Sequence, residues 1–162
     1  MFDVIMTVKS DVADFKLASK MNFDVPLRNV AMAIQNDIKR NLRNSTTYSG
    51  PKMKRLAKKT IKDKVKLNVS TPKMPLMRFR NMFKNIRAKK VGHNFWAVDF
   101  ATNESNDKAY YHNIAGAGKT RVLRKFFGVS QKRKKWAVKY FESWVLNKLK
   151  AGKGRQYGTV LR

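Results

Sequence analysis

Apolar and polar residues alternate from Phe2 through Val4 and Met6 to Val8, the two-residue period of a half-buried strand. Residues 11–22 fit a short helix or a loop equally well. Beyond them the period changes. Leu27, Val30, Ala31, Ile34, Ile38 and Leu42 recur at intervals of three and four, Pro26 stands in the first turn where its missing N–H does no harm, and Asp24 stands where a cap belongs. This pattern predicts a helix with an apolar stripe that must be buried against a sheet or another helix.

"RNSTTYSGPK" breaks that pattern, and 44–75 is expected to be a long, basic, partly helical excursion punctuated by Pro51, Pro72 and Pro75. "FKNIRAKKV" and "NFWAVDFA" predict two strands turning at Gly92-His93, with Trp96, Val98 and Phe100 on the core face of the second. A last helix follows, capped by Ser130, with Trp136, Ala137, Tyr140, Phe141, Trp144, Val145 and Leu149 as its core stripe and Gly152 as its end. With no internal repeat, the order predicts an α+β fold: a small antiparallel sheet packed against a long helix in the N-terminal half and a C-terminal helix. One domain is expected over 1–150, with an extended tail at 151–162.

Charge changes this picture more than composition does. The 37 Lys and Arg residues against 10 Asp and Glu give a net charge of +27. Residues 1–24 carry three lysines against four aspartates, so the excess lies beyond them. Two stretches concentrate it: 51–66 has eight basic residues and one acid, and 119–135 has eight and none. Such blocks serve as interaction surfaces for polyanions or acidic proteins. The candidate contacts are Lys52, Lys54, Arg55, Lys58, Lys59, Lys62, Lys119, Arg121 and Arg124.

Chemistry-bearing patterns are sparse. With two histidines and no cysteine, no zinc site is expected, and the absence of cysteine fits a reducing compartment. The few carboxylates form no acid and base pair, so neither a catalytic site nor a cofactor is expected. No apolar run approaches the roughly 20 residues that span a bilayer, and "MFDVIMTVKSD" is unlike a targeting segment, so no membrane association is expected. "AGAGKT" (115–120) ends like a phosphate-binding loop, but Asn113 stands where its first glycine is needed, "KAYYHNI" before it is only moderately strand-like, and "RVLRKFFGVS" after it leaves no room for the required helix. Nucleotide binding is therefore not expected.

Four segments in order resemble the bacteriophage virion morphogenesis family, whose members are described as tail completion or neck proteins. "GPKMKRLAKKTIKDK" matches at Gly50, Leu56, Thr60 and Lys64, with Met53 where tryptophan is usual. "PLMRFRNMFKNI" carries the Pro-Leu of a second stretch, with Phe79-Arg80 in place of Thr-Gly. "KAYYHNIAGAG" supplies Tyr111, His112 and a following glycine, and "RVLRKFFGVS" supplies Arg124, Phe127 and Gly128, with Val122 where proline is usual. On this resemblance "AGAGKT" is the loop between a Tyr-His strand and an Arg-Phe-Phe-Gly turn.

The resemblance implies a structural protein of the virion, made in the bacterial host cytoplasm. It would sit at the neck as a homo-oligomeric ring, such as a hexamer, between the head connector and the tail tube proteins, in transient contact with packaged double-stranded DNA. A compact subunit about 40 Å across encloses only about 24 duplex charges, whereas six subunits carry about +160. Most of the positive charge is then expected to face acidic partners or solvent. The alternative is a free, non-specific nucleic-acid-binding protein whose two basic blocks grip phosphates.

Overall fold

The three-and-four spacing of apolar residues produces α1 (Asp24–Asn44), which buries Val30, Ala31, Ile34, Ile38 and Leu42, the last two completely. The computed structural model describes residues 21–76, 81–118 and 121–156; the expected strand at Phe2–Val8, Phe79-Arg80 and Lys119 lie outside them. After α1 come α2 (Lys58–Lys66), α3 (Asn81–Lys84), β1 (Ile86–Gly92), β2 (Phe95–Phe100), α4 (Asn103–Tyr110), a π-helical turn (Tyr111–Ala115) and α5 (Gln131–Gln156). The fold class is α+β.

β1 and β2 form an antiparallel hairpin that pairs Ile86 with Phe100, Ala88 with Val98 and Lys90 with Trp96. An irregularity between Lys90 and Gly92 precedes the turn, which lies at His93-Asn94, one residue later than expected, with Asn94 in the left-handed region (φ 52°). Val98 and Phe100 are buried as expected, but Trp96 is only half-buried and Ala97, on the opposite face, is buried as well. α1 packs on both strands. From it Gln35 donates through Nε2 to the carbonyl of Ile86 (3.2 Å) and accepts the N–H of Ala88 (3.0 Å), occupying the position of a third strand beside β1.

Asp24 is not the cap of α1. The helix starts at Asp24 itself, after Phe23, which makes no side-chain cap. The hairpin secures this end of the helix instead. Asn94 accepts the Phe23 N–H (2.7 Å), and the Asp24 carboxylate is drawn to Lys90. That lysine holds the carboxyl below the ordinary carboxylate range.

The basic excursion is an ordered structure. Thr46 and Lys52 pair around a turn in which Gly50 adopts φ 116°, and Met53 is buried after donating its N–H to the Ser45 carbonyl (2.8 Å). Further on, Lys64 lies buried with Nζ donating to the Met74 carbonyl (2.7 Å), and Val69 is buried beside it in the chain. These three residues tie the segment down.

"KAYYHNI" forms no strand. Thr102 caps α4 by accepting the Ser105 N–H, Glu104 pairs with Lys108 one turn on, and the helix continues into the π-helical turn. Asn113 stabilises that turn by donating Nδ2 to the carbonyl of Ala109 (2.9 Å). Aromatic side chains from two segments close the core: the Phe100 ring lies 5.1 Å from Phe127 and 6.4 Å from the fully buried Phe126.

The chain divides into two compact units after Ser130, so the unit boundary falls earlier than the expected 1–150 domain. α5, which makes up the second unit, begins directly after Ser130 and runs through Gly152 to Gln156, so residues 151–156 are helical rather than extended. A glycine inside a helix costs about 1 kcal/mol relative to alanine and does not by itself end it. Of the expected core stripe only Ala137 and Phe141 are buried; Trp136 is exposed and stacked on Tyr140 (5.3 Å), with the Arg133 guanidinium 4.5 Å from its ring centre.

Candidate functional site

From Leu123 to Ser130 the chain forms neither helix nor strand, and Arg124 is the residue through which it is fastened. The main-chain N–H of Arg124 donates to the His112 carbonyl (2.6 Å), and its Nε donates to the Lys54 carbonyl (3.3 Å). Next to it, the Lys125 carbonyl accepts the Tyr48 N–H (2.8 Å). The Phe127 N–H donates to Oδ1 of Asn113 (3.1 Å), and Nδ2 of Asn41 donates to the Phe126 carbonyl (3.4 Å). Gly128 is required here for space, since a Cβ would stand 2.6 Å from the Tyr48 ring. Three stretches far apart in sequence thus meet at one junction.

Burial dominates the electrostatics of the junction. The Arg124 side chain is 8% exposed and desolvation lowers its pKa. Desolvation, and then the neighbouring Arg124 charge, push the His112 imidazole down to about 4, so the ring is neutral at pH 7. Its Nδ1 is buried without a hydrogen-bond partner.

On its outer side the junction borders an open cleft of about 650 Å³, with Lys108, Tyr111, His112 and Arg121 contributing side chains and Gly116 to Gly118 forming one wall. That wall has a defined shape. Ala117 and Val122 exchange N–H···O bonds (3.1 Å each), Gly116 (φ 81°) and Gly118 (φ 73°) take left-handed angles, and a Cβ on Gly116 would lie 2.4 Å from the Arg121 carbonyl. The described chain from Arg121 to Ser130 holds no helix, whereas a phosphate-binding loop would lead directly into one.

Compared with family models, curated proteins and solved structures, the chain matches none. What the site can do therefore follows from its own residues.

The excursion carries the most exposed charge. Lys54, Arg55, Lys58, Lys59, Lys62 and Lys66 are exposed, and no acidic side chain pairs with them among the described residues. Lys58, Lys62 and Lys66 follow one another at four-residue intervals, a single row along α2. Lys52 is exposed too, but its Nζ is engaged by the Asn44 carbonyl (2.9 Å) at the end of α1. Elsewhere three acids are matched locally: Asp37 with Arg40, Asp99 with Arg87 and Lys89, Glu104 with Lys108.

Two residues expected on the interaction surface or in shared motifs have structural positions instead. Arg124 is turned inward and bonded, so it is not available to DNA or an acidic partner; the apolar packing around Phe126 and Phe127 draws its segment into the core. Lys64 is likewise buried. Arg121 is exposed, Thr60 and Tyr111 are exposed, and Leu56 is half-buried. Sequence reasoning missed Asn41, Tyr48 and Asn113. Their signal was a polar or amphipathic side chain within or just after an apolar stretch, which a buried hydrogen bond explains.

Proposed function

We propose that this chain is a non-enzymatic structural protein of a tailed-bacteriophage virion, a tail completion or neck component that joins the head connector to the tail and assembles as a ring around the DNA channel. The observation that carries the reading is the junction at Arg124. The Lys54 and His112 carbonyls and the Asn113 side chain, from two of the stretches that carry the resemblance to that family, bond to Arg124 and Phe127 of a third. Residues shared for the sake of a fold would be expected to behave in this way, whereas residues shared for chemistry would converge on an accessible reactive group.

The unpaired cations of the excursion fit the same role. Ring subunits meet through heterologous interfaces and dock on other proteins at both ends, and a strongly basic segment steers and selects acidic surfaces. A second reading, a free nucleic-acid-binding protein, is favoured by the lysine row on α2.

The test is to withhold the chain during phage assembly. Heads and tails should accumulate separately, and adding the purified protein should join them. Joined particles formed without the chain would overturn the proposal.

A further inference from the structure

The cleft beside the π-helical turn has a composition the junction itself does not need. Its polar lining residues are Lys108, Tyr111, His112 and Arg121, and no carboxylate lines it among the described residues. Arg121 is exposed and no acid pairs with it among the described residues. Lys108 pairs with Glu104, but both side chains are more than half exposed, and such a surface pair gives way readily to a better-placed carboxylate. The neutral His112 ring adds polarity without competing charge.

Three observations distinguish what such a cleft takes. It is concave and of the size that holds a few side chains, whereas the phosphates of a stiff duplex run along ridges. The π-helical turn that borders it exposes Tyr111 and Ile114, each 55%, and Tyr110 is exposed next to them. Of these, Tyr111 lines the cleft, and an apolar side chain of a peptide can cover its ring. The wall from Gly116 to Gly118 is preformed by its bridge and left-handed residues, which reduces the ordering cost of binding.

We propose that this cleft receives an acidic peptide segment of a partner protein, with carboxylates held between Lys108 and Arg121 and an apolar side chain against Tyr111. The proposal rests on the virion reading only for the origin of the peptide. Binding in solution is independent of it.

The experiment is fluorescence anisotropy with a labelled peptide of six glutamates around one central leucine, titrated with the full chain near physiological salt. Arg121→Glu with Lys108→Glu should weaken binding by at least about tenfold, the scale of one lost charge-assisted contact. Lys58→Glu with Lys62→Glu, an equal change of net charge on α2, should weaken it by less than about threefold, the residue of long-range screening. Tyr111→Ala should weaken binding of the leucine peptide and leave that of an all-glutamate peptide unchanged. Equal losses from the two charge reversals would reduce the effect to net charge and overturn the proposal. So would no binding at millimolar peptide, or a cleft reversal that abolishes duplex DNA binding instead. Phage assembly that fails without the chain while the peptide does not bind would retain the virion reading and reject only the cleft.

Discussion

The Nε of Arg124 donates to the main-chain carbonyl of Lys54, seventy residues earlier, and fastens the chain before α5 to the start of the basic excursion. Arg124→Ala removes this bond and the packing of the aliphatic stem, and should lower the unfolding free energy by about 2 kcal/mol. Arg124→Met restores the packing and should recover about half of that loss. Urea unfolding checks both. A methionine variant as stable as the parent would show that the bond contributes nothing.

His112 makes stability depend on pH. Its folded value, about 4, lies below the ordinary 6.5, so between those values the unfolded chain binds the extra proton. Its contribution is full above pH 6.5 and falls as the pH drops towards 4. Because the ring is only half-buried, solvent screening limits the effect to about 2 kcal/mol. Unfolding at pH 7 and pH 4.5 should show the loss in the parent and a smaller one in His112→Gln.

The two glycines of the cleft wall should respond differently to alanine. At Gly116 the new Cβ would meet the Arg121 carbonyl, so both angle and space oppose it, and about 3 kcal/mol should be lost. At Gly118 nothing lies within 4 Å, and only the left-handed angle, about 1 kcal/mol, opposes it. Similar melting temperatures for the two variants would contradict the described loop.

The lysine row on α2 separates the two readings of function through salt. If Lys58, Lys62 and Lys66 each neutralise a phosphate, their replacement by glutamine should flatten the slope of log affinity for duplex DNA against log salt by about 2.7. For a neck protein the expected change is below about 1, DNA binding by the free chain is weak, and head–tail joining suffers instead. A change near the larger figure with normal joining would favour the free DNA-binding protein.

α1 was legible because its stripe has a clean period and is buried along its length, and the hairpin because alternating apolar residues flank a short turn, although Ala97 is buried on the face opposite Val98. α4 was not, because the tyrosines of "KAYYHNI" suggest a strand and mask the polar start signal upstream, where Thr102 and Ser105 form the cap. Arg124 was misjudged for another reason. Whether an arginine faces a partner or the interior depends on the tertiary location of its segment, here set by Phe126 and Phe127, and local charge carries no record of that. The aromatic residues of α5 illustrate the same limit: Trp136 shares the spacing of a core residue but is exposed, with Tyr140 and Arg133 of its own helix against its ring.

The bond pair made by Gln35 also bears on how copies of this chain can meet. A two-stranded sheet offers bare edges, and an unpaired edge is a template on which another chain can add a strand and go on adding. Along β1 that template is interrupted, since the Ile86 carbonyl and the Ala88 N–H are already taken by an amide belonging to the same chain. A neighbour extending the sheet there would first have to expel Gln35 and leave its amide unsatisfied. If copies of this chain associate, the β1 edge is thereby a poor place for open-ended β-stacking, and side-chain surfaces are the alternative.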